Sequence, residues 1–313
     1  MKPAWRGIAA ALVTVLGACS PDTVEKGPQP SDASANFDTG VDGPGNLDTA
    51  TGPATVGPPT GKPPQDLQCD LNGRWLVSQR VLAAALGQEQ VAHNWFYYEV
   101  RHEGAEVIVT KGLHCGYEVV KKSALSASVD SSAAWPAFLM KNSSTGRRGT
   151  FVKEGAGCHL TLQREYVVRG ATVGHYANPA VPLPTRTEPA LGATPGWEDW
   201  DADGNPGISL VVTSALAGGT LYVCQRDWNE YDGATQPAPK LKVAVRYSGE
   251  QAALGRSAGA PQVIESTSAP SSDPAQHYAW WHRLADGAAT GSDAEICAAV
   301  RTLRNTLVPE ANE

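Results

Sequence analysis

Past its first twenty residues the chain has no apolar run approaching the length of a membrane span, so no transmembrane helix is expected there. It also has no Lys/Arg cluster beyond Arg147-Arg148, and Lys+Arg 25 against Asp+Glu 32 gives a formal net charge of −7. Neutralising phosphates takes clustered cations, which excludes nucleic acid as a partner. No fixed internal period is present, and a solenoid or propeller is excluded with it. Phenylalanine and methionine are scarce, at four and two, against nine tryptophans, most of which are expected to fill a β-core. Residues 20–66 hold nine prolines, seven glycines, six aspartates and a single aromatic, Phe37. Such a stretch cannot bury enough apolar surface to offset the entropy of ordering it. Residues 19–66 therefore read as a disordered tether with a root-mean-square reach of roughly 40 Å.

Ahead of the tether, Lys2 and Arg6 precede an apolar run from Gly7 to Leu16 that is too short to cross a bilayer. Leu16-Gly17-Ala18-Cys19 closes it, and the whole resembles a bacterial lipoprotein signal. The resemblance implies that residues 1–18 are removed, that Cys19 becomes the N-terminus, and that its sulfur carries a lipid of palmitate type. Removal takes Lys2 and Arg6 and no acid, leaving 23 basic against 32 acidic side chains. Ser20, where an aspartate would signal retention at the inner membrane, implies an outer-membrane, lipid-anchored protein of the cell envelope.

From Cys69 the texture changes to short alternating apolar runs broken by Gly, Pro, Asn and Asp, the pattern of strands joined by turns. Expected strands are 73–81, 95–101, 105–111, 113–121, 148–153, 158–168, 208–214, 220–228 and 241–247, with a hairpin turn at His102-Glu103-Gly104. Residues 67–310 are thus expected to form one all-β domain, an antiparallel barrel or sandwich, with one or two short C-terminal helices. Ser292-Asp293-Ala294-Glu295 has the form of a capping box, and Ile296, Val300, Leu303 and Leu307 recur at helical spacing behind it. Residues 276–284, with Tyr278, Trp280 and Trp281, are expected to form the second helix. Gly73-Arg74-Trp75 resembles the G-x-W element of lipocalins, which implies a tryptophan plugging one end of an eight-stranded barrel.

Five cysteines remain beside Cys19, an odd number in a compartment that favours disulfides, so one thiol should stay free. Strand alternation places Leu113, Cys115, Tyr117 and Val119 on one face and Cys158, Leu160 and Leu162 on another apolar face. Cys115–Cys158 is the preferred bridge, Cys69–Cys297 would staple the ends of the domain, and Cys224 is left over.

The densest polar stretch is Gly196-Trp197-Glu198-Asp199-Trp200-Asp201-Ala202-Asp203-Gly204-Asn205-Pro206-Gly207. Its D-x-D-x-D-G order begins many calcium loops, because oxygen donors on alternate residues can curl around one Ca²⁺ while glycine permits the turn. Asp199, Asp201 and Asp203, with the carbonyl of Asn205 and with Glu198 as an extra donor, are the candidate ligands. Leu210 stands where an EF-hand has its bidentate glutamate, which excludes that motif. The competing expectation is a turn whose carboxylates cap its own backbone amides. This same block is similar to that of uncharacterised lipoproteins from myxobacteria, a resemblance that implies an envelope setting and no particular chemistry.

Gly255-Arg256-Ser257-Ala258-Gly259 fits G-x-S-x-G, the serine elbow of α/β-hydrolases, with Asp273, His277 and Asp286 downstream. Pro261 and the lack of alternating strands and helices argue against that context, so a hydrolase using Ser257 and His277 stands as the alternative to a non-enzymatic envelope protein. The pairs His114-Cys115 and Cys158-His159 do not suggest zinc, since neighbours on a strand point to opposite faces. The leading expectation is a lipid-anchored β-domain that binds an envelope ligand or protein and is stabilised by disulfides and by Ca²⁺.

Overall fold

The computed structural model describes residues 69–85, 88–120, 126–129, 135–185, 193, 195–213, 218–236, 238–260, 265–271 and 273–307. The expected leader 1–18, Cys19 and the expected tether 19–66 lie outside the described residues. In chain order the strands are β1 (Gly73–Ala85), β2 (Gln88–Glu103), β3 (Glu106–Val120), β4 (Ser126–Val129), β5 (Arg147–Glu154), β6 (Gly157–Arg169), β7 (Ile208–Thr213), β8 (Gly218–Thr235), β9 (Lys240–Arg256), β10 (Glu265–Pro270) and β11 (Tyr278–Arg283). The helices are α1 (Trp135–Leu139), α2 (Val173–Tyr176) and α3 (Asp293–Leu307).

All eleven strands join one antiparallel sheet, and eight of them close a ring in the order β1-β2-β3-β5-β6-β8-β9-β11, with β11 pairing back onto β1. The domain is a barrel rather than a sandwich. Where β11 ends, β10 fills the same gap, pairing Ala83 and Ala84 of β1 on one side and 249–252 of β9 on the other. At the far end of β8, β7 takes residues 218–223 as β6 takes 225–235, and β4 adds to β7. The edge of β6 that β5 leaves unpaired at Val168 is closed by a side chain: Asn142 accepts from Val168 N–H (2.8 Å) and donates to Val168 O (2.9 Å).

Alternation explains which residues face inward. Leu241, Val243, Val245 and Tyr247 of β9 meet Trp75, Val77, Phe96, Tyr98, Phe151, Leu160, Tyr231 and Trp281 in one buried interior cluster. Trp75, at the start of β1, is fully buried at one end of the ring. Its Nε1 donates to Leu71 O (2.9 Å), and the Arg283 guanidinium lies 4.9 Å from its ring centroid. Further along, the interior turns polar. Arg147 donates to Glu165, Tyr98 and Asn229, and Arg169 to Asp227 and Asn94, both arginines being buried.

Two expectations are corrected here. Residues 276–284 form a 3-10 turn and β11, not a helix, because Trp281 points into the barrel while its neighbour Trp280 points out. The disulfides are Cys69–Cys158 and Cys115–Cys297, with Cys224 free and buried; Cys115 does not pair with Cys158. The reason is a pair of bulges in β3. Trp95 faces Gly116 while Phe96 faces His114, so Cys115 is the extra residue, and a second shift leaves Thr110 unpaired. A one-residue slip exchanges the faces of a strand. Leu113 and Cys115 therefore point outward under α3, whereas Cys158 points inward, and the sheet itself separates the two sulfurs.

Helix α3 begins at the expected capping box, with Ser292 N–H and Oγ both bonded to Glu295 Oε2 at 2.8 Å. Its buried Ile296, Cys297 and Val300 cover Leu76, Trp95, Tyr97 and Leu113 on the outer wall.

Candidate metal centre

The segment from Gly196 to Ser209 is held against the barrel at both ends before any carboxylate matters. Thr172 N–H donates to Gly196 O (2.9 Å) and Glu198 N–H to Gly170 O (2.9 Å). The loop then pinches shut: Trp200 N–H donates to Gly207 O (3.0 Å) and Gly207 N–H to Glu198 O (2.9 Å). Gly207 has φ +88°, and a Cβ there would lie 2.3 Å from Val223 O, so only glycine permits this approach. Ala202, at φ 57°, turns the tip. Trp200 is fully buried, edge-on to Trp135 at 6.0 Å and stacked on Phe138 at 5.4 Å, so it anchors the loop rather than presenting a ring to solvent. Trp197 is buried too, among Val168, Cys224 and Leu254.

This frame brings Asp199, Asp201 and Asp203 together, each offering one oxygen within 4.8 Å of the others, an arrangement that could hold a metal ion. The same carboxylates also cap the turn. Asp199 accepts from the N–H groups of Asp203 (3.3 Å) and Gly204 (2.9 Å), and Asp203 from Asn205 N–H (2.8 Å) and Ser209 Oγ (2.8 Å). Asp201 Oδ2 accepts from Ser209 N–H at 2.6 Å. The expected capped turn thus describes the segment, and the same carboxylates have lone pairs enough to hold a cation as well.

Asp201 is the odd member. It is 9% exposed, and its Oδ1 is buried with no hydrogen-bond partner. Burial, opposed by the Ser209 bond and reinforced by the Asp203 charge, pushes its carboxyl up to about 6. Burial also pushes Asp203 upward, but the bonds from Asn205 and Ser209 outweigh it and hold that carboxyl below its ordinary value. Asn205 joins the cluster through its N–H. Glu198 is not among the converging groups: its Oε2 accepts from Lys141 Nζ (2.6 Å) and Trp200 Nε1 (3.2 Å). Ser209, first seen as part of the site here, carries no motif signal, because only the closed loop sets it beside two aspartates.

The other candidate residues are placed apart. Ser257 Oγ accepts from Thr220 N–H (2.8 Å) in the turn after β9. His277 is buried, its Nδ1 accepting from Leu82 N–H (3.4 Å) and its Nε2 donating to Ser271 O (3.1 Å). No bond links Ser257 to His277 among the described residues. Asp273 caps Ala275 N–H (3.0 Å), and Asp286 lies 3.6 Å from Arg74. His114 is bonded through Nε2 to Gly116 O, and His159 sits between Glu154 and Asp232. Comparisons with protein-family models, with curated proteins and with solved structures found no match.

Proposed function

We propose that this chain is a non-enzymatic binding protein of the cell envelope, a barrel carried on a lipid-anchored tether, whose Asp199-Asp201-Asp203 loop holds Ca²⁺. The observation that carries the cation is Asp201 Oδ1, a buried carboxylate oxygen without a partner beside two further carboxylates. Three acidic groups packed this closely repel one another unless a counter-ion sits among them. A donor set made only of oxygens suits a hard cation, and irregularly placed carboxylates suit the variable coordination of Ca²⁺ better than the octahedral demands of Mg²⁺. Two disulfides support an oxidising compartment. The lipid at Cys19 and the outer-membrane location rest on the leader's resemblance to a lipoprotein signal.

Extracellular calcium loops bind with Kd on the order of 10⁻⁴–10⁻³ M, so 10 mM Ca²⁺ should stabilise the fold by about 1.4–2.7 kcal/mol, or about 3–11 °C in Tm. Differential scanning fluorimetry after EDTA treatment, with Ca²⁺ added back, reads this directly. Asp201→Asn should abolish the response without lowering the basal Tm, because it removes a buried charge and keeps an acceptor for Ser209. A wild-type Tm indifferent to Ca²⁺ leaves only the capped turn. Mass spectrometry of the natural product should find acyl chains at Cys19; an unmodified mature terminus refutes the anchor.

A further inference from the structure

Where β5 ends, the barrel wall changes character. Among the described residues β5 pairs with 106–109 of β3 and with 157–162 of β6. Beyond those positions β3 pairs with β2 and β6 with β8, and only a bridge between Gly112 and Ser144 is added on the side that β5 has left. Helix α1 and the 3-10 turn Met140–Asn142 span the break: Trp135 stacks on Tyr117 of β3 (6.1 Å), and Asn142 makes its two bonds to Val168 of β6. Side-chain contacts thus stand where the neighbouring wall has a ladder, which places residues 135–142 at the low end of local stability.

Several of those contacts lead to the loop that carries the three aspartates. Phe138 stacks on Trp200 (5.4 Å), and Trp135 meets the same ring edge-on (6.0 Å). Lys141 Nζ donates to Glu198 Oε2 (2.6 Å), which also accepts from Trp200 Nε1 (3.2 Å). Trp200 stands between Asp199 and Asp201, so gathering both carboxylates on one ion fixes the backbone that carries its ring. Behind the segment, the Arg169 guanidinium lies 3.9 Å from the Tyr117 ring centroid and continues into the polar end of the interior through Asp227 and Asn94. Closure leaves Trp135 Nε1 and Arg169 Nε buried with no hydrogen-bond partner. Water admitted on opening would supply one, so closure is opposed and depends on what else holds the segment.

We propose that the cation is a latch on this part of the wall. Bound at Asp199, Asp201 and Asp203 it fixes Trp200, and Trp200 with Glu198 holds residues 135–142 shut over the polar end of the barrel. Without it the segment lifts, and water and small polar solutes reach Arg169 and Asp227. The inference rests on the cation reading above and adds the regulation exerted from that site. An ion shifts such an equilibrium only by binding the closed form better than the open one, and the coupling is reciprocal: contacts that favour closure also favour the bound ion.

The test is amide hydrogen exchange of the full-length protein by mass spectrometry, in EDTA and in 10 mM Ca²⁺, with Tm measured beside it. If the ion binds the closed form alone, with Kd on the order of 10⁻⁴–10⁻³ M, opening becomes roughly tenfold to a hundredfold rarer. Exchange in residues 135–144 and at Val168, whose N–H bonds Asn142, should slow by that factor, while the β5–β6 hairpin around Glu154–Gly157 should not change. Phe138→Ala/Lys141→Gln cuts the segment's ties to Trp200 and Glu198 and touches no aspartate of the loop. It should lose most of the slowing and keep a Tm that rises with Ca²⁺. The wild-type comparison decides the matter even if that variant does not fold. A Tm that rises with Ca²⁺ while exchange in 135–144 stays unchanged overturns the latch and leaves the bound cation standing; a Tm indifferent to Ca²⁺ removes both. Slowing that survives in the double variant, or that is equal in the hairpin, also overturns the latch.

Discussion

Arg147 offers the sharpest test of how the barrel interior is held together. Its side chain is 4% exposed and satisfied throughout: Nε donates to Gln163 O (2.7 Å), Nη1 to Glu165 Oε2 (2.8 Å) and Tyr98 OH (3.2 Å), Nη2 to Asn229 O (3.1 Å) and Oδ1 (3.0 Å). The guanidinium also lies 4.8 Å from the Tyr231 centroid. Arg147→Met keeps much of the volume but takes from Glu165 its cation, leaving it only the Tyr98 hydroxyl at 3.3 Å, and takes a donor from Asn229 O and Gln163 O. Breaking a buried pair by removing one partner costs about 3–5 kcal/mol. For a domain of this size that lowers Tm by about 6–20 °C. The double variant Arg147→Met/Glu165→Leu removes both charges, and its cost should be well below the sum of the single ones, since apolar replacement of a whole ion pair is often neutral. Urea denaturation of the four proteins in the cycle measures the coupling. A single-variant cost under about 1 kcal/mol, or additive effects, would refute the view that this pair is desolvated and mutually dependent.

Two further outcomes follow from the geometry. Cys115→Ala/Cys297→Ala opens a link of sequence separation 182 between β3 and α3 and should cost about 3–5 kcal/mol, with hydrogen exchange rising first in α3; uniform protection in α3 would contradict its dependence on the bridge. His159 donates to Asp232 (2.9 Å) and Glu154 (2.8 Å) when protonated, and those bonds raise its pKa above the ordinary value. A raised histidine pKa stabilises the fold fully below about pH 6.5 and less as pH climbs through the raised value. The wild type should therefore lose a small increment of Tm over that window that His159→Gln does not, and parallel pH profiles would count against it.

Local pattern decided much of this protein before any tertiary contact. Period-two alternation marked Leu241, Val243, Val245 and Tyr247 as one face of a strand, Gly104 marked a hairpin turn, and Ser292 with Glu295 marked the start of α3. Each signal is carried by residues within a few positions of one another. Alternation fails where a strand places large aromatics on both faces, as at Trp280 and Trp281, and β11 then looks like a helix.

What the fold alone decided are relations between distant residues. Bulges in β3 set the cysteine pairing, because one inserted residue exchanges faces and neither inserted residue has a local signature. The ring brings Arg147 beside Glu165 and Asn229, and Arg169 beside Asp227, across strands far apart in sequence. In the loop from Gly196 to Ser209 the three aspartates were legible from spacing. That Asp201 is buried with a bare oxygen, and that Ser209 ties it to Asp203, depended on Gly207 closing against Val223, a contact of burial and distance that composition and order do not encode.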